Sequence, residues 1–115
     1  VSVRNGDIVW VSLDKVRVAI VFHVDPAKNA IVCVAGTSKD RGAKPSSYVL
    51  VDPGSDEGKA LKLTMPTYFH AELRFARVSQ IERTEGRCPL DLFDEVDELL
   101  DSYCAKYWQA KKSPP

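Results

Sequence analysis

A chain of 115 residues fits one domain and leaves no room for two independent cores. Its formal net charge of zero argues against a general polyanion binder. Apolar residues make up 44% and charged residues 28%, enough for a core under a soluble surface, and apolar runs such as Val18–Phe22 are too short to cross a bilayer.

The first strand is expected over 7–13 (DIVWVSL), after the Asn5-Gly6 turn signal. Ile8 and Trp10 alternate with Val9, Val11 and Leu13, so both faces are largely apolar, as in a closed or sandwiched sheet. A second β-rich run, 17–24 (RVAIVFHV), follows after the very short link Asp14-Lys15, which predicts a tight hairpin. Asp25-Pro26 and Lys28-Asn29 make the next turn. Residues 30–35 (AIVCVA) read as a buried third strand ending in Gly36-Thr37-Ser38. The segment 39–47 (KDRGAKPSS) is polar with Gly and Pro, hence an exposed loop. Residues 48–51 (YVLV) form a fourth strand, and 52–58 (DPGSDEG) is turn-rich.

Met65-Pro66 breaks the run 59–64 before Thr67-Tyr68-Phe69, and 73–78 (LRFARV) alternates as a later strand. Ser79-Gln80 turns into Ile81–Glu85, and Gly86 closes the β part. Pro89 suits the first turn of a helix. From there Leu92/Phe93, Val96, Leu99/Leu100, Tyr103 and Tyr107 recur at helical spacing. Acids at its start and Lys106, Lys111 and Lys112 near its end suit the helix dipole. Residues 1–87 carry 13 Lys and Arg against 10 Asp and Glu, a balance of +3, and residues 88–115 carry 3 against 6, a balance of −3. The expected architecture is mainly β: a small barrel over about 5–87 capped by one terminal helix over about 89–110, a single domain spanning 1–115. No segment has the order of a signal peptide, so a cytoplasmic location is expected.

Cys33, Cys88 and Cys104 are odd in number and widely separated, which suggests neither a disulfide framework nor a zinc site. Chemistry concentrates elsewhere. In an antiparallel pair, Arg17 at the start of the second strand and Thr37-Ser38 at the end of the third lie on the same side of the sheet. A guanidinium fork and two hydroxyls there can hold a phosphodiester. A solvated strand-end arginine beside a Thr-Ser turn explains the same spacing. Lys39, Arg41 and Lys44 are the electrostatic candidates for contacts with a phosphate backbone. His23 and His70 can shuttle protons near neutral pH, although a lone histidine is more often structural. Arg74 and Arg77, three apart, face opposite sides of an ideal strand, so at most one joins Arg17. Trp10 is expected in the core, while Tyr107 and Trp108 either pack on the barrel or dock a partner.

The same residues carry a resemblance. The stretch GDIVWVSLD…RVAIVF (6–22), the AGTSK end of the third strand, Thr67-Tyr68-Phe69, RFARVSQIER (74–83), Gly86 and the terminal helix together resemble the PemK/MazF family of toxin ribonucleases, over nearly the whole chain. The resemblance implies an SH3-like β-barrel working as a homodimer, held by a cognate antitoxin with an acidic tail. It implies metal-independent, cofactor-free cleavage of single-stranded RNA, with the ribose 2′-hydroxyl attacking the adjacent phosphate. Arg17 matches the arginine that stabilises charge and can protonate the leaving oxygen, Thr37 the threonine that orients the phosphate, and Ser38 adds a hydroxyl contact. Val18 stands where the family usually has proline. The family's long first loop is reduced to Asp14-Lys15-Val16, with Asp14 nearest to its loop acid and Glu72 to a later-strand acid. That shortening favours the alternative, a noncatalytic RNA- or protein-binding module on the same barrel.

Overall fold

The computed structural model describes residues 2–103. Tyr107, Trp108 and the helix's expected last turns lie outside them, as does Cys104. Seven strands run in chain order, β1 (Asp7–Ser12), β2 (Val16–Asp25), β3 (Ala30–Thr37), β4 (Tyr48–Val51), β5 (Thr67–His70), β6 (Arg74–Arg77) and β7 (Ile81–Arg87). All their pairings are antiparallel, in the order β4-β5-β3-β2-β1-β7, with β6 also on β3. Helix α1 (Asp56–Ala60) follows β4, and α2 (Leu90–Tyr103) follows β7. Between its outer strands β4 and β7 the sheet has no ladder of hydrogen bonds among the described residues, so it is a coiled open sheet rather than a closed ring.

The apolar character of both faces of β1 and β2 has a direct structural cause. Period-2 alternation sends Ile8 and Ile20 into one core cluster and Val9, Val11, Ala19 and Val21 into another. The first cluster is roofed by α2, whose Leu92, Val96, Leu99 and Leu100 recur at helical spacing and are buried. Phe93 adds a ring stacked on Phe22, with centroids 4.6 Å apart. Pro89 immediately precedes the helix, and its carbonyl accepts the Phe93 amide at 3.0 Å, so its missing N–H costs nothing there. The second cluster lies on the opposite face and adds Ile31, Cys33 and Ala76. Burial pushes the Cys33 thiol up to about 11 and the Cys88 thiol up to about 12, so both stay protonated and unreactive at neutral pH.

Several elements differ from the sequence expectation. The turn-rich segment after β4 contains α1. Ser55 caps it by accepting the Gly58 amide at 3.0 Å, and a Cβ at Gly58 would overlap the Asp52 carbonyl. The capped turn is thus closed by a hydroxyl and a missing side chain, with no apolar periodicity to announce it. The loop 39–47 ends in a single 3-10 turn at Pro45–Ser47. Strand β7 runs through Gly86 to Arg87, its register against β1 shifted twice by bulges. No described helix is long and apolar enough to cross a membrane.

Candidate functional site

The β1–β2 hairpin and the end of β3 build the site. Ser12 pairs with Val16, so only Leu13, Asp14 and Lys15 turn the chain, and the Leu13 amide donates to the Lys15 carbonyl at 3.0 Å. Ala19 faces Ala35 in the β2–β3 ladder, and continuing that register brings Arg17 opposite Thr37. The Arg17 guanidinium donates through Nε and Nη2 to the two Asp14 carboxylate oxygens, each at 2.9 Å. Its Nη1 donates to the Gly36 carbonyl at 3.3 Å. Three of the five N–H groups of an arginine are engaged, which leaves one on Nη1 and one on Nη2 for a ligand.

The Arg17 side chain is 13% exposed, against 60% for Asp14. The guanidinium beside Asp14 holds that carboxyl well below the usual carboxylate range, and Asp14 in turn raises the pKa of Arg17. Both members of this fork stay charged at any working pH. Arg17 is therefore a permanent positive charge, and Asp14 is a poor proton acceptor.

Thr37 is buried, with its Oγ1 accepting the Lys39 amide at 3.3 Å, so the hydroxyl proton is free to donate. Ser38 is exposed. Gly36 permits the close approach of β5 behind them, because a Cβ there would lie 2.5 Å from Cγ2 of Thr67 and 3.2 Å from the Phe69 ring.

A cleft of about 190 Å³ opens at this point, with Lys15, Arg17, Thr37 and Ser38 on its polar side and Trp10, Val16, Leu63 and Met65 on its apolar side. Trp10 is half-buried, its Nε1 is enclosed without a partner, and the Arg83 guanidinium lies 4.9 Å from its ring centroid. The indole thus serves core and cleft together. Val16 and Met65 are 48% and 53% exposed, an apolar ledge beside the charged groups.

A second, narrower pocket lies on the other side of Arg17 and Thr37, lined also by Ala35, Arg41, His70, Glu72 and Arg74. Glu72 pairs with Arg41 at 3.1 Å and with Arg74 at 3.6 Å. Arg74 thus joins Arg17, while Arg77 lies on the far end of β6, opposite Ala30. His70, from β5, is 8% exposed and lies 3.0 Å through Nε2 from the Lys39 carbonyl.

Of the residues singled out in the sequence, Asp14, Lys15, Arg17, Thr37 and Ser38 meet at the cleft, and Arg41 and Glu72 meet in the adjoining pocket. Lys39 takes part through its backbone and has an exposed side chain. Lys44 precedes the 3-10 turn, where its carbonyl accepts from Ser47. His23 is exposed and pairs with Val32, roughly 20 Å along β2 from Arg17 at about 3.3 Å per residue. Neither Lys44 nor His23 lines either pocket. No cluster of three or more His, Cys, Asp or Glu residues that could hold a metal occurs among the described residues.

Comparison with known proteins bears on the fold and the family. The fold matches the toxin MazF-mt6 of Mycobacterium tuberculosis, with a TM-score of 0.64 at 18% identity, covering 84% of this chain and 93% of that one. It matches the MazE–MazF structure from Deinococcus radiodurans with a TM-score of 0.67 at 16% identity, covering 91% and 97%. An endoribonuclease in complex with its cognate antitoxin, from a mycobacterial species, matches with a TM-score of 0.67 at 10% identity over 90% and 96%. Likeness at these identities establishes the fold alone. No curated protein matches the sequence significantly. A family model described as PemK-like, MazF-like toxin of type II toxin-antitoxin system matches residues 4–103. The chain belongs to the PemK/MazF toxin family of type II toxin–antitoxin systems.

Proposed function

We propose that this toxin is a metal-independent endoribonuclease that cuts single-stranded RNA at the Arg17–Thr37 cleft. The observation that carries this reading is the convergence in one cleft of a fixed cation with two unused N–H groups, a threonine hydroxyl with a free proton, and Ser38. In the reaction the ribose 2′-oxygen attacks phosphorus and the bond to the 5′-oxygen breaks. One proton leaves the 2′-hydroxyl and one reaches the departing 5′-oxygen, giving a cyclic phosphate and a free 5′-hydroxyl. Negative charge gathers on the phosphorane oxygens, where preoriented donors are most effective. Arg17 supplies that charge stabilisation, Thr37 orients a phosphate oxygen, and Ser38 adds a contact from the exposed side. Lys15, Lys39 and Arg41 attract the flanking backbone. The apolar ledge of Val16 and Met65 suits an unstacked base.

The finer parts of the reading follow the family. The single domain works as a homodimer in the cytoplasm, its coiled sheet is an open form of the family's SH3-like barrel, and a cognate antitoxin lays an acidic segment over the cleft. The solved MazE–MazF and toxin–antitoxin relatives support the antitoxin.

The test is incubation of the purified protein with a long single-stranded RNA in the presence of a chelator, with cut ends mapped, beside Arg17→Ala. Cuts at a repeated short sequence with cyclic phosphate ends, lost in the variant, are expected. One observation favours a noncatalytic RNA-binding module instead: Asp14 already occupies two donors of Arg17. Intact RNA that is nevertheless bound selects that second reading.

A further inference from the structure

The β3–β5 ladder stops at the pair formed by Thr37 and Tyr68. Beyond it the chain of 38–40 leaves the sheet, and no backbone bond from β5 follows it. His70, which the antiparallel register places on the other side of that pair, toward Ala35, reaches the departing segment with its side chain, since Nε2 lies 3.0 Å from the Lys39 carbonyl. A carbonyl only accepts, so Nε2 carries the hydrogen and donates. The amide of the same Lys39 donates to Thr37 Oγ1. Imidazole, the two backbone groups of Lys39 and the Thr37 hydroxyl therefore form one chain of contacts that ends at the cleft.

The ring itself is held on its faces and edges. Its centroid lies 5.4 Å from the Tyr48 ring at 65° and 6.2 Å from the Tyr68 ring at 21°. Such packing fixes the direction in which Nε2 points.

We propose that His70 is a positioning residue for the cleavage reaction, holding Lys39 so that Thr37 keeps its acceptor side occupied and its proton aimed at the scissile phosphate. The proposal rests on the endoribonuclease reading. Its action is through the backbone, and the imidazole itself exchanges no proton with RNA.

The test compares wild type, His70→Phe and His70→Gln as full chains on an oligonucleotide with a single ribose at the cut site. The phenylalanine ring keeps the packing against the tyrosines and removes the donor. Glutamine places an amide N–H near the position of Nε2. His70→Phe should lower kcat by roughly tenfold to a hundredfold, the cost of a small misplacement of a reacting group, with KM changed by less than about twofold, and His70→Gln should recover most of kcat.

A wild-type kcat in His70→Phe overturns the proposal. So does a His70→Gln variant as slow as His70→Phe, which would mean that the imidazole exchanges protons itself. Amide hydrogen exchange at Lys39 is read in parallel and needs no activity. Faster exchange in His70→Phe, restored in His70→Gln, supports the proposal, and unchanged exchange overturns it. A wild type that cuts no RNA defeats the endoribonuclease reading alone, and the Lys39 exchange then decides whether His70 positions this segment.

Discussion

Two arginine–carboxylate groups flank Thr37, and they differ in how they are built. Asp14 and Arg17 are three residues apart, joined by a fork of two 2.9 Å contacts across a three-residue turn, with the guanidinium only 13% exposed. Glu72 instead bridges Arg41 and Arg74 from different segments at 3.1 and 3.6 Å, with all three side chains 33–49% exposed. The local pair holds its geometry because little chain entropy is lost in closing a short turn. The distant group is wetter and looser, closer to an exposed ion pair of small net strength. Positive charge near Thr37 is therefore fixed on one side and adjustable on the other.

Removing Arg17 should break this contrast most strongly. Arg17→Ala is expected to lower kcat by roughly 10²–10³-fold, the usual loss of a transition-state donor, in a single-turnover assay on the single-ribose oligonucleotide. Thr37→Val keeps the shape and deletes the hydroxyl, and a fall of about tenfold to a hundredfold in kcat is expected from the same assay. Asp14→Asn sharpens the comparison by loosening the fork. It should reduce kcat up to about fivefold, the scale of an exposed pair, while KM falls because a carboxylate no longer competes with phosphate for the guanidinium.

The pH dependence of that pair has a definite sign. The folded-state pKa of Asp14 is depressed, so the pair's contribution to stability is complete above about pH 4, the unfolded value of a carboxyl. It is lost as pH falls further through the lowered folded value. Urea unfolding of wild type and Asp14→Asn should therefore differ by a constant amount from neutrality down to about pH 4 and converge below it. The difference itself should be small, because Asp14 is exposed. Glu72→Gln should leave kcat within about twofold and lower KM slightly, measured over a salt series. His23→Ala, at the far end of β2, should change neither constant.

The pairing of Arg17 with Thr37 was legible because one hairpin register controls it. Consecutive antiparallel strands with a short link place those two ends together whatever the rest of the chain does. The side partition of Arg74 from Arg77 follows from strand period alone. What escaped the sequence depends on contacts between distant segments. His70 reaches Lys39 only because β5 crosses to β3 instead of staying beside β4 alone, and no periodicity records that crossing. Its flanking Tyr68-Phe69 hinted at a packed environment without naming the partner. Helix α1 is held by one hydroxyl cap and a close glycine approach, in a segment whose composition reads as turn. The open β4–β7 side was equally invisible, since the same alternation serves a closed ring and a coiled sheet.

The three-residue turn at Leu13–Lys15 has a consequence for control. A long loop has to be ordered when a ligand arrives, and the ordering can be withheld as a form of restraint. Here the charged group is set in place by its own hairpin as soon as the chain folds, and almost no segment remains to be arranged. The cation at that side of the cleft is thus held by three residues of turn and a two-contact fork. On the proposed endoribonuclease reading, restraint therefore rests on what occupies the cleft rather than on a loop held out of place.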